Sequence, residues 1–211
     1  MSMWKGRHSG GRSNAMTSNP NGMQEGPSDF RFDFDRFERM FELGILSTVG
    51  PRIELLEGRI VEMSPIGGEH GDTAADLVVA LAGPIRGTPA LAEEFRVSTA
   101  VTLKIGQDSA PEPDVLVARR RNGRKYYEAA DAVLVIEVSV STRDNDLTIK
   151  SPMYARAGIP EFWIVEPEIR LVRVFRDPRP DGSWGDETVV TEGAVTPLFS
   201  DKVRVDLAEL F

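Results

Sequence analysis

Hydrophobic positions change period several times along this chain, and each change marks an element. Over residues 30–46, Phe34, Phe37, Met40 and Phe41 recur at spacings of three and four. That spacing predicts an amphipathic helix with Asp33 as its cap and Gly44 as its stop, and the aromatic stripe reads as core packing. Residues 52–64 switch to alternation in two runs around Glu57-Gly58, a hairpin whose turn uses the positive φ that glycine adopts without cost. Helical spacing returns over 70–86 with Ala75, Leu77, Val78, Leu81 and Ile85 inward, and Pro84 predicts a kink or an early end. Residues 95–104 alternate as a strand, while 114–118 and 133–140 are short continuous apolar runs suited to strands covered on both faces. A helical pattern over 144–157 closes at Gly158, and Pro152 within it either kinks the helix or opens a shorter one. Strands follow at 161–166 and 169–176, with weaker signals at 187–191 and 202–206. Trp163, in the first of these, reads as core or interface. This order predicts an α/β (α+β) fold, a mixed central β-sheet flanked by helices.

The ends and the charge narrow the picture. Residues 1–15 (MSMWKGRHSGGRSNA) read as an expression tag and linker, and 16–29, rich in Gly, Pro, Asn and Ser, as a flexible leader too poor in large apolar groups to offset the entropy of ordering. Residues 30–211 are left as one domain. The whole chain carries 25 Lys+Arg and 33 Asp+Glu, a net of −8; without Lys5, Arg7 and Arg12 the bases fall to 22 and the net to −11. Such a balance argues against coating nucleic acid or an anionic membrane through bulk positive charge, but leaves room for a small basic groove. There is no cysteine, hence no disulfide, thiolate metal site or thiol nucleophile. No run approaches the ~18 apolar residues of a membrane span, and the default expectation is a cytoplasmic protein.

Three features carry chemistry. Alternation in VLVIEVSV puts Val133, Val135, Glu137 and Ser139 on one face, and Leu134, Ile136, Val138 and Val140 on the other. A carboxylate in such a strand is costly to desolvate and needs a partner, a proton or a cation; it could also reach the strand end, or pair with an arginine. Pro113 starts the next candidate strand and aims Asp114, although Pro-Asp is also a common turn dipeptide. If the two strands are adjacent, Asp114 and Glu137 could share a hard cation such as Mg²⁺. Asp146, Lys150 and Tyr154 follow at i, i+4 and i+8 and would share one helix face. Lys150 is then either an ordinary surface ion pair or an ammonium directed at the acids, able to orient water or offset charge on a phosphate.

Taken together, Pro113-Asp114, Glu137 on its apolar strand, the Asp146–Lys150–Tyr154 spacing and the Gly-Ile-Pro-Glu-Phe-Trp-Ile-Val-Glu-Pro run from Gly158 resemble a large bacterial family of restriction endonucleases built on the PD-(D/E)XK nuclease fold. The likeness runs from about Glu54 to about Arg176, with the 53–65 hairpin and His70 also fitting. The resemblance implies a restriction endonuclease-like core with a Mg²⁺ or Mn²⁺ cofactor held by Asp114, Glu137 and Glu54, and a catalytic set of Asp114, Glu137 and Lys150. One departure stands out: Ser139 occupies the position two residues after the second acid where the older pattern has lysine, and Lys150 on the following helix is the replacement. His70, Ser139 and Tyr154 are possible accessory groups.

The basic run Arg119, Arg120, Arg121, Arg124 and Lys125 reads as a solvated loop or, on so acidic a chain, as a phosphate-contacting edge, with Tyr126 and Tyr127 able to stack on bases. The functional expectation is a metal-dependent endonuclease that hydrolyses phosphodiester bonds of nucleic acid, DNA first, as a homodimer. The alternative is a catalytically inactive nuclease-fold module that binds nucleic acid or serves as a dimeric interaction surface.

Overall fold

The apolar run around Glu137 forms the middle of the sheet. The structure, a computed structural model, describes residues 30–46, 52–123, 125–140 and 142–211. The tag and leader assigned to 1–29 lie outside the described residues, as does Arg124. From Arg31 to Phe211 the chain gathers into one compact unit.

In chain order, helix α1 (Phe34–Glu42) precedes the hairpin β1 (Ile53–Leu56) and β2 (Arg59–Glu62). Next come α2 (Gly68–Gly87), α3 (Pro89–Glu94), β3 (Phe95–Ser98), β4 (Leu103–Lys104), β5 (Val115–Arg119), β6 (Tyr127–Glu128) and β7 (Ala132–Val138). A helical crossover of α4 (Arg143–Asn145), a π turn (Asp146–Lys150) and α5 (Ser151–Arg156) leads to β8 (Glu161–Glu166), β9 (Leu171–Pro178) and β10 (Trp184–Val190). Two short strands, β11 (Ala194–Val195) and β12 (Val205–Asp206), close the chain. The six-stranded sheet has the order β10-β9-β8-β7-β5-β3. Its β7–β8 pair is parallel and every other pair antiparallel. The predicted mixed sheet flanked by helices is therefore the fold.

Each face of the sheet has its own core. On one, Leu77, Leu81 and Ile85 of α2 pack with Val115, Val117, Leu134, Ile136, Val138, Trp163 and the C-terminal Val203, Val205 and Leu207. On the other, Met153 and Tyr154 of α5 pack with Leu116, Ala118, Val135, Phe162 and Ile164, joined by Leu56, Leu103 and Ile105. Burying one such side chain contributes roughly 1.5–3 kcal/mol, so these two layers hold β7 rigidly wherever its polar residue falls. Trp163 is fully buried core.

Several predicted details shift. Alternation in β7 fails at its start: Val117 pairs with Leu134 but Ala118 with Ala132, so Val133 is an extra, bulged residue and joins the α2 face instead of the Glu137 face. The 95–104 strand divides because Ala100 adopts φ +49, after which β4 leaves the sheet and pairs in parallel with β6. Helix α2 runs through Pro84 to Gly87, with Leu81 and Ile85 anchoring the last turn against the sheet. Ala75 of its predicted inward set is exposed, and so is Phe41 of α1. Asp33 caps α1, accepting a hydrogen bond from the Arg36 N–H, and Gly44 ends the helix at φ +70. The hairpin turn has Glu57 at φ +49 and Gly58 at φ +75, the two positive angles of a type I′ turn. No helix among the described residues is long and apolar enough to cross a membrane.

Candidate active site

Glu137 sits near the end of β7, its side chain on the α5 side of the sheet. Its Oε1 accepts hydrogen bonds from Lys150 Nζ at 3.0 Å and from the Tyr154 hydroxyl at 2.8 Å. Lys150 Nζ also lies 3.2 Å from Glu54 Oε1 and 3.1 Å from Glu54 Oε2. None of these four residues exposes more than 3 % of its surface. Glu54 reaches the group because β1 docks through the Leu55–Ala110 bridge onto the segment leading to Asp114.

The π turn sets the lysine. The Ser151 N–H returns to the Asp146 carbonyl, five residues back, which widens the turn just before Pro152 enters the first turn of α5. A proline has no N–H to leave unpaired there. The predicted single helix over 144–157 is thus three short pieces, yet Asp146, Lys150 and Tyr154 all turn inward and are buried. Asp146 Oδ2 accepts hydrogen bonds from Ser139 Oγ at 2.5 Å and Thr142 Oγ1 at 2.6 Å. Ser139 therefore stands where the older nuclease pattern has lysine and instead ties down the segment that carries Lys150.

Asp114 continues the line of β5 and is held from three sides. Its Oδ2 accepts the Val138 N–H at 2.8 Å and lies 3.0 Å from His70 Nε2, while Oδ1 is 3.9 Å from Arg52 Nη2. One strand end therefore links Asp114, through the Val138 amide, to the residue following Glu137. Among the described residues two buried side-chain polar atoms lack a hydrogen-bond partner: His70 Nδ1 and Glu54 Oε2, the latter only within ion-pair range of Lys150.

Charge dominates the site. Burial pushes the Glu137 carboxyl well above the ordinary carboxylate range; Lys150 pulls it back, while Asp114, Asp146 and Glu54 push it further up. Burial likewise raises Glu54 and Asp146 against the pull of Lys150. For Lys150 itself burial works downward, but Glu137, Glu54 and Asp146 together overcome it and hold the ammonium above its usual value. Burial and the nearby Glu137 raise the Tyr154 phenol well above its ordinary range, so it remains a donor.

Asp114 is the member of the group that meets solvent. A cavity of about 560 Å³ opens beside it, with Arg52, His70 and Glu112 in its wall. A second of about 300 Å³ shares Arg52 and His70 and continues to Thr142.

The family described as "Uma2: Putative restriction endonuclease" matches residues 34–206. This chain belongs to the Uma2 family. A similar solved structure is that of a putative nuclease belonging to DUF820 from Anabaena variabilis ATCC 29413, with a TM-score of 0.61 and 20% sequence identity, over 76% of this chain and 90% of that one. At that identity the likeness is one of fold. No curated protein matches the chain. Membership in the Uma2 family agrees with the resemblance read from the sequence and with the mixed nuclease-like sheet.

Sequence-predicted residues separate into two places. Glu54, His70, Asp114, Glu137, Ser139, Lys150 and Tyr154 converge, as described. The basic run does not join them. It begins at Arg119, the far end of β5 from Asp114 and about 16 Å away by strand rise. Arg119 faces Glu94 at 3.7 Å, Arg121 pairs with Asp131 at 2.8 Å and Lys125 with Glu38 at 2.6 Å, while Arg120 Nε donates to the Phe95 carbonyl. Tyr126 donates to Glu38, and Tyr127 shares a hydrogen bond with Ser98. Sequence reasoning gave no role to Arg52, Glu112 or Thr142, which stand beside the site. Arg52 and Glu112 each had one usable signal, a position two residues before a site acid, Glu54 and Asp114; Thr142 had none.

Proposed function

We propose that this chain is an endonuclease that hydrolyses phosphodiester bonds of DNA with Mg²⁺ or Mn²⁺ as its cofactor. The observation that carries the reading is the placing of Lys150 between Glu54 and Glu137, behind an Asp114 that faces a cavity. The donor set suits a hard cation: Asp114, Glu137 and Glu54 offer carboxylate oxygens, three acids surround the Lys150 ammonium, and Glu54 Oε2 is buried without a hydrogen bond, within ion-pair range of Lys150. Among the described residues no three His, Cys, Asp or Glu side chains stand close enough together to hold a metal ion, and Lys150 lies between the two glutamates. Asp114, Glu137 and Glu54 are the residues that would hold the metal, and when bound it would supply Lewis-acid polarisation of the phosphate and a more acidic water. Lys150 would offset charge developing on the phosphate or orient the attacking water. Tyr154 would keep Glu137 oriented through its hydroxyl, and His70 and the Val138 amide would fix Asp114. Arg52, at the rim, would meet the substrate phosphate.

The test is to incubate the protein with single- and double-stranded DNA and Mn²⁺, beside Glu137→Gln. Cleavage by the wild-type chain that falls to background in the variant supports the reading. Equal cleavage by both would refute it.

A second reading, a nuclease fold retained without catalysis, is favoured by one observation: the Glu54–Lys150–Glu137 triad is already internally paired. Calorimetric titration with Mn²⁺ separates the two readings. Heat that disappears in Asp114→Asn supports the enzyme; no heat at all supports the inactive module.

A further inference from the structure

The cavity beside Asp114 has an unexpected lining for a site that handles a polyanion. Apart from Arg52, His70, Thr99, Glu112 and Asp114, its wall is apolar and comes mostly from one face of α2, where Ala75, Val78 and Val79 stand, joined by Ile66. Val79 is 72% and Ile66 52% exposed, so this apolar wall is open to solvent. A phosphate backbone makes no use of such a wall, since its recognition depends on cations and N–H donors. A nucleobase does, because its flat face is apolar and its edge polar.

The geometry also selects which bases can enter. In a stacked duplex a base shows only its edge, and its face becomes available to a side wall only after it leaves the stack. A volume of about 560 Å³ lies in the range of roughly 300–1,000 Å³ typical of small-molecule pockets. It has room for one nucleoside. Charge is arranged to match: Arg52 and His70 lie at the Asp114 end, where a phosphate would sit.

We infer that this cavity is a base-binding subsite that takes one unstacked nucleobase next to the scissile phosphate, so that the substrate is single-stranded DNA or a DNA end and not continuous duplex. This rests on the nuclease reading for its phosphate, but the apolar wall can be tested without cleavage.

The experiment measures equilibrium binding at low salt, with and without Ca²⁺, of a single-stranded oligonucleotide carrying 2-aminopurine, whose emission reports unstacking. A matched strand of abasic sites and the same sequence as duplex serve as comparisons. Val79→Asp places a charge in the wall at an exposed position, and Val189→Asp, on exposed β10, places the same charge elsewhere. The base-bearing strand is expected to bind about tenfold more tightly than the abasic strand or the duplex, and Val79→Asp to remove that margin while Val189→Asp keeps it. Equal binding of base-bearing and abasic strands, an unaffected Val79→Asp, or no binding of any strand in either condition overturns the inference. Loss of Mn²⁺ cleavage in Glu137→Gln is scored separately, so a nuclease without a base subsite and a base-binding module without activity give different results.

Discussion

Replacing Lys150 with methionine removes the ammonium that lies 3.0 Å from Glu137 and 3.1 Å from Glu54 and leaves a side chain of similar length in the same space. Both carboxylates remain buried, with Asp146 and Asp114 nearby. Removing one partner of a buried ion pair costs about 3–5 kcal/mol, because the remaining charge has lost its compensation. That is a large share of the roughly 5–15 kcal/mol that holds a domain folded, and with a typical urea dependence it lowers the denaturation midpoint by about 2 M. The loss should depend on pH in a particular direction. Without Lys150, burial raises Glu54 and Glu137 with the main opposing charge gone, leaving only Arg52 and the Glu112 backbone to pull Glu54 down. A carboxyl whose folded pKa exceeds its unfolded value, near 4.3 for Glu, contributes full stability below that value and loses it as pH rises through the folded one. The deficit of Lys150→Met against wild type is therefore widest at about pH 8 and narrows towards about pH 5, as the stranded carboxyls regain protons. Over that range the wild-type ammonium keeps its charge, since the surrounding carboxylates hold Lys150 above its ordinary value. Urea unfolding followed by tryptophan fluorescence at both pH values measures this, and adding Glu137→Gln to Lys150→Met should restore part of the loss. A deficit below about 1 kcal/mol, or one equal at both pH values, would show that the two glutamates do not depend on the lysine for their burial.

Two further substitutions test how the site is supported. Tyr154→Phe removes the hydroxyl that donates to Glu137 Oε1 at 2.8 Å; thermal unfolding should show a loss of about 1.5–3 kcal/mol, the scale of a hydrogen bond to a charged group. In the Mn²⁺ cleavage assay the same variant should lower kcat more than it changes KM, as expected if Tyr154 orients Glu137 without touching substrate. Gly58→Ala should destabilise by more than about 1 kcal/mol, because φ is +75 there and an added Cβ would come within 2.7 Å of Arg31 Cβ and 3.2 Å of the Phe32 carbonyl. Chemical denaturation checks it, and an unchanged midpoint would mean that the hairpin turn can relax.

By itself, the sequence determined the elements and the residue types of the site. Period-2 runs around a tight turn at Glu57-Gly58 place β1 and β2, and helical spacing places α1 and α2, because side-chain direction is a local property of the backbone. Glu137 was legible as a candidate because a carboxylate inside an apolar strand is costly enough to need a reason. Lys150 and Tyr154 were legible as one helical face, although the π turn and Pro152 divide that helix. The tertiary structure alone decided which charges meet. Glu54 and Lys150 are 96 residues apart, and His70 and Asp114 44. Nothing local brings such pairs together; the docking of the hairpin on the segment before β5 and of α2 across the sheet does. The bulge at Val133 and the turn at Ala100 were equally invisible, since both depend on pairing with a neighbouring strand. The basic run shows the same division most clearly. Its charge is plain in the sequence, but its distance from the acids follows from the length and direction of β5, with Asp114 at one end and Arg119 at the other.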